Sequence, residues 1–115
     1  MDKKKTHCVY VIELKKEVMN IRKFQKANKS YISGKPCFYV GMTFYDPETR
    51  FLHHQTRHKN IKGHDVSSRF PREYGKMIIE ELCTAPKSLT KKEALSLEKK
   101  TTSDLRKRGY GVYSK

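Results

Sequence analysis

The chain has 115 residues, 36% hydrophobic and 10% aromatic, with 26 Lys and Arg against 12 Asp and Glu and a net charge of +14 at pH 7. That length holds one small core and excludes a second recognition domain, and the aromatic content separates the chain from disordered polycations. Self-repulsion of this size points to a polyanionic partner, nucleic acid first, against the bland alternative of a lysine-rich solubility surplus; charge alone does not separate an enzyme from a passive binder.

His7 to Leu14 (HCVYVIEL) is dense in β-branched and aromatic residues and predicts a buried strand. Lys15 to Lys29 is charged, yet Val18, Ile21, Phe24 and Ala27 recur every three residues and predict a short amphipathic helix. Gly34 and Pro36 mark a turn, after which Cys37 to Thr43 (CFYVGMT) predicts a second strand, antiparallel to the first. Asp46-Pro47-Glu48 reads as a helix start, with Asp46 as N-cap and Pro47 at the first helical position; this helix is expected to reach about His58. Asn60 to Gly75 is basic and irregular, with a helical turn expected near Pro71 to Tyr74, and Lys76 to Thr84 predicts a third strand. Thr90-Lys91-Lys92-Glu93 is a capping box for the last helix, Leu89 and Ala94 are placed as its hydrophobic staple, and Gly109 ends it. Tyr110 to Tyr113 is expected to add a short edge strand.

Cys8, Cys37 and Cys83 are widely spaced, odd in number and set among apolar neighbours, as in reduced buried thiols. No apolar run is long enough for a signal peptide or a membrane span, so a soluble cytoplasmic protein with no membrane partner is expected.

Three groups of residues stand out chemically. On the last helix, Ala94, Leu97, Thr101 and Leu105 define the inward face, and Glu98 falls in the middle of it. A carboxylate facing a core is costly unless a metal or cation compensates it; the alternative is a rim residue salt-bridged to one of the many basic side chains. On the helix after the second strand, Arg50 and His54 are four apart and emerge on one face, which suits an anionic target or simply a solvated basic surface. His54 and His58 share the spacing of a zinc pair, but no third ligand has recognisable spacing and Arg57 lies between them, so zinc is not expected. Tyr10 and Tyr39 lie on strands, pointing opposite to Val9 and Val11 and to Phe38 and Val40; taken alone they are ordinary core tyrosines.

Together these pieces resemble the GIY-YIG nuclease family. The first motif corresponds to Cys8-Val9-Tyr10 and the second to Tyr39-Val40-Gly41; Arg50 and His54 have the Arg-x-x-x-His arrangement of its restriction and homing branches, and Glu98 is similar to its metal-binding glutamate. The resemblance runs from His7 to Gly109, and its specificity comes from five short motifs in order on the right elements. It implies an α/β (α+β) domain over residues 1–115, with a small three-stranded, mainly antiparallel sheet flanked by helices, a basic tail at 1–6 and an insertion at 15–36. Cys8 replaces the first glycine, Met42 stands where many members carry a basic residue (a role that Lys35 or Lys62 could take), and no residue matches the polar Asn near the end of many family domains, although Tyr110 and Tyr113 lie nearby.

The same resemblance implies metal-dependent hydrolysis of DNA phosphodiesters. Glu98 would hold one divalent cation, Mg²⁺ or Mn²⁺. Tyr10 would help deprotonate the attacking water, its pKa lowered by Arg50 and the metal; Tyr39 and His54 would position water and phosphate, and Arg50 would stabilise the transition state. Lys35, Lys62, Arg69, Arg72, Lys76 and the insertion are the expected backbone contacts, to DNA ahead of RNA. Cutting both strands would need a homodimer or two sequential events. The alternative is a catalytically inactive DNA- or RNA-binding module of the same fold; a structural protein of a ribonucleoprotein is a weaker third reading.

Overall fold

The computed structural model describes residues 4–56 and 69–114. Four strands form one mixed sheet in the order β3-β1-β2-β4. β1 (Cys8–Leu14) and β2 (Cys37–Thr43) are antiparallel, register Tyr10 opposite Gly41 and Ile12 opposite Tyr39, and are almost entirely buried. β3 (Gly75–Ile78) adds antiparallel to β1, and β4 (Gly111–Ser114) adds parallel to β2. The expected three-stranded, mainly antiparallel sheet is therefore a four-stranded mixed one, and the edge strand expected near Tyr110 to Tyr113 is its fourth member.

Alternation along β1 and β2 sends side chains into two layers. Tyr10, Ile12, Leu14, Cys37 and Tyr39 join Val18, Phe24 and Phe70 on one side; Val9, Val11, Phe38 and Val40 join Ala94, Leu105 and Val112 on the other. The first side is covered by α1 (Arg22–Ala27), α2 (Pro47–Gln55) and α3 (Arg69–Tyr74), the second by α4 (Lys91–Lys107).

The helix ends follow their capping chemistry. Asp46 accepts a hydrogen bond from Thr49 N at 2.7 Å, with Pro47 next to it. α2 is seen to Gln55, and the expected continuation to His58 falls outside the described residues. Thr90 and Glu93 exchange both capping-box bonds, at 3.1 and 2.8 Å, and Leu89 packs in the same cluster as Ala94. At the other end Gly109 adopts φ +87°, so that Tyr110 N reaches Leu105 O and Gly109 N reaches Arg106 O, closing the helix in a left-handed cap.

Two expectations change in detail. The third strand stops at Ile78, and the chain turns through a 3₁₀ segment, Glu80–Leu82, because Ile79 and Leu82 are both drawn into the α4-side cluster, a spacing of three that a strand cannot satisfy. There the N–H groups of β1 turn to side chains, Val9 N donating to Thr84 Oγ1 at 2.8 Å and Val11 N to Cys83 Sγ at 3.3 Å, while Val9 O and Val11 O accept from the backbone N–H groups of Thr84 and Ile79.

The short amphipathic helix expected within Lys15 to Lys29 is a 3₁₀ turn (Lys16–Asn20) followed by the short α1. Within this segment Val18 and Phe24 are fully buried and anchor it to the core. Asn28 Oδ1 accepts from Val112 N at 2.7 Å and so occupies the outer edge of β4.

Candidate active site

The site begins with a cross-strand pair. Tyr10 lies directly opposite Gly41, and a Cβ built on Gly41 would stand 2.5 Å from both Cζ and the hydroxyl oxygen of Tyr10. Gly41 therefore provides the space in which the phenol lies across β2; any larger residue would displace it. Tyr39, two residues back on the same face, sets its ring 6.2 Å from that of Tyr10.

α2 completes the cluster. His54 is fully buried, and its Nε2 lies 2.9 Å from the Tyr10 hydroxyl. Its ring is edge-on to Tyr39 with centroids 5.8 Å apart. One turn earlier on the helix, the Arg50 guanidinium hydrogen-bonds the Tyr10 oxygen. The i, i+4 spacing of Arg50 and His54 thus converges on one phenol rather than forming a solvated face.

Glu98 arrives from the opposite layer. It is 6% exposed, and the backbone N–H of Met42, at the end of β2, donates toward its carboxylate. No salt bridge to it is found among the described residues, so the rim ion pair is not what holds it. Burial raises its pKa above the ordinary carboxylate value, against smaller opposing effects of the Met42 N–H and Lys99. The Glu98 charge is close enough to act on Tyr10. The buried residues of α4 are Ala94, Glu98, Thr102 and Leu105, so the inward stripe passes through Thr102 where Thr101 was expected.

Burial also decides the state of Tyr10. Its pKa lies well above the usual phenol value, with desolvation as the main cause and Tyr39 adding to it; Arg50 pulls downward without reversing the direction. Of the two charges expected to lower this pKa, Arg50 acts in the expected direction, and burial outweighs it. A phenol that holds its proton can donate to His54 Nε2, 2.9 Å away, when that nitrogen is the acceptor of the imidazole.

Glu98 is the candidate cation ligand. Among the described residues no group of three His, Cys, Asp or Glu forms a metal cage. A single inward carboxylate does fit Mg²⁺ or Mn²⁺ bound mainly through water and phosphate oxygens, since such ions use one or two carboxylates with substrate.

Among the described residues, the expected DNA contacts have protein partners of their own. Arg69 pairs with Glu73 at 2.9 Å, Arg72 lies 3.8 Å from the same carboxylate, and Lys76 is 3.5 Å from Glu13. Lys35 donates to Arg108 O at 2.7 Å, at the far end of α4 from Glu98. Lys62 lies outside the described residues, as do Arg57 and His58.

Cys8, in place of the first glycine, is a buried thiol bonded to Tyr45 O, with its pKa raised to about 11 by burial, and takes no part in the cluster. Tyr113 is opposite Tyr39 in register but packs against Phe24 and Phe70. The Met42 N–H was invisible to sequence reasoning because a backbone donor leaves no residue signature.

No helix among the described residues is long and apolar enough to cross a membrane. No family model, curated protein or solved structure matches this chain, so the meaning of the site rests on its own geometry.

Proposed function

We propose that this chain is a metal-dependent endonuclease of GIY-YIG type that hydrolyses DNA phosphodiester bonds. The observation that carries the reading is the buried Tyr10–His54 hydrogen bond, made between residues 44 apart and supported by Arg50, with the inward Glu98 within electrostatic reach. A core tyrosine needs one satisfied hydroxyl; it does not need an arginine, a buried histidine and a glutamate around it.

In this reading Glu98 holds the cation, which when bound supplies positive charge against the scissile phosphate. Tyr10 accepts a proton from the attacking water as its own proton passes to His54 Nε2. The water oxygen bonds to phosphorus, the P–O bond to the leaving oxygen breaks, and that oxygen takes a proton from solvent. Arg50 offsets the charge that develops on the phosphoryl oxygens. Tyr39 limits the orientations of the His54 ring.

One observation favours the same fold as a nucleic-acid-binding module without turnover: Tyr10 is 1% exposed and holds its proton tightly. A cleavage assay on supercoiled plasmid, with Mg²⁺ or Mn²⁺ and with EDTA, separates the two. Metal-dependent nicking that disappears in Glu98→Ala, while DNA binding persists, is the expected result. Tight binding without nicking in either metal would establish the inactive module.

A further inference from the structure

The side chains chosen from sequence as DNA contacts are mostly ion-paired, whereas a second basic surface is not. A groove of about 330 Å³ lies between α4 and the outer edge of β4. It is lined by Lys99, Ser103, Arg106 and Lys107 of α4, by Ser30 of the inserted segment and by Ser114 of β4. The α4 residues follow i, i+4, i+7 and i+8 spacing and so form one stripe. Asp104, the acid within that stretch, projects roughly 100° away around the axis. The groove contains no carboxylate among its lining residues.

Arg106 is the half-buried cation of the groove. Its Nε and one terminal nitrogen donate to Val112 O at 3.2 and 2.8 Å, and Nε also faces Asn28 Oδ1 at 3.3 Å. These partners are neutral oxygens, and burial lowers the guanidinium pKa. No salt bridge to Arg106, Lys99 or Lys107 is found among the described residues. A part-buried cation held in place by neutral groups keeps its full charge for a ligand, at an electrostatic cost to the fold that a bound anion would relieve. Thr102, also in the lining, spends its hydroxyl on Glu98 O at 2.8 Å, which leaves the serines as the hydroxyl donors of the groove.

We infer that this groove binds the phosphodiester backbone of DNA on one side of the scissile phosphate. The length supports a polymer over a single ion: Lys99 to Lys107 spans about 12 Å of helix, which is on the order of three phosphates at the rise of one DNA strand. Lys99, at one end of the groove, is next to Glu98 in the chain and acts on its carboxylate, so that end lies within electrostatic reach of the candidate cation ligand. The identity of the polyanion rests on the proposed nuclease reading; the groove and its charge do not.

The test is the salt dependence of duplex binding in EDTA, followed by fluorescence anisotropy, where cleavage plays no part. Lys99 and Lys107 are exposed, so K99Q/K107Q keeps the fold, as checked by circular dichroism, whereas Arg106 variants would also loosen β4. The expected result is a slope of log Kd against log salt lower by about one per lysine removed, with R69Q/K76Q leaving the slope near wild type. An unchanged slope in K99Q/K107Q would overturn the inference, and metal-dependent nicking by the wild type would show that the nuclease reading survives it. A lowered slope without nicking would retain the groove and remove the nuclease. Inorganic phosphate at matched ionic strength is expected to compete no better than chloride; selective displacement by phosphate would make this a site for the free ion and overturn the backbone assignment.

Discussion

β1 and β2 present two surfaces from one alternating stretch of sequence, and the two are built to different rules. Toward α4 they offer Val9, Val11, Phe38 and Val40, which meet Ala94, Leu105 and Val112 in a mainly aliphatic layer in which Phe38 packs on Tyr110. Toward α2 they offer Tyr10 and Tyr39, packed on a buried histidine, with an arginine bonded to the phenol. The aliphatic layer gains stability from every group it buries. The aromatic layer buries a phenol and an imidazole that must satisfy one another, and Glu98 at the end of the sheet is buried at a cost to its charged form. Polar groups placed where they weaken the fold point to a use other than stability.

The comparison is broken most directly at Tyr10. In Tyr10→Phe, plasmid cleavage is expected to fall by about 10²–10⁴-fold, with a stability loss of only about 1–2 kcal/mol from the orphaned His54 nitrogen. Full cleavage activity in that variant would make Tyr10 an ordinary core residue. Val11→Ala, the mirror change on the other face, is expected to cost about 2–3 kcal/mol in denaturant unfolding and to leave cleavage per folded molecule intact. Loss of cleavage without loss of stability would erase the distinction between the faces.

Gly41→Ala sharpens the aromatic side further, because the new methyl meets the Tyr10 phenol at 2.5 Å. The expected cost is about 1–3 kcal/mol of overpacking, with cleavage reduced because the ring leaves His54. Pairing it with Tyr10→Phe tests whether the two defects share one cause: sub-additive losses are expected, and full additivity would separate them.

The smallest effect concerns Glu98 and pH. Its folded-state pKa is raised, so the folded chain binds this proton more tightly than the unfolded chain. Its burial therefore weakens the fold above the raised pKa, and that penalty disappears as pH falls through it. Glu98→Gln, which still accepts from Met42 N–H, is expected to melt slightly higher than wild type near neutral pH, with the gain shrinking in acid. Mg²⁺ or Mn²⁺ is expected to raise the melting temperature of wild type and not of Glu98→Gln. A cation shift equal in both proteins would remove Glu98 as the ligand.

Much of this was legible from local pattern. Residue alternation placed Tyr10 opposite Val9 and Val11 and Tyr39 opposite Phe38 and Val40, helical spacing aligned Arg50 with His54, and the Thr90–Glu93 box and Gly109 marked both ends of α4. Each depends on residues within a few positions of one another, where bond geometry and capping chemistry act directly. The basic residues were legible as charge only. Arg69 and Glu73 are an i, i+4 pair that spacing can flag, whereas Lys76 meets Glu13 across two strands far apart in the chain, and spacing does not encode that.

The sequence by itself determined the strands β1 and β2, the starts of α2 and α4, and the inward placement of Glu98, because periodicity and caps are short-range. Only the tertiary structure decided the rest. It brought His54 to the Tyr10 hydroxyl across 44 residues, used Gly41 as space for that phenol, and drew Ile79 and Leu82 inward so that β3 ended early. It also folded the inserted segment back so that Asn28 and Arg106 close the edge of β4. These outcomes depend on which distant surfaces share the same volume, and packing settles that only when the whole chain is assembled.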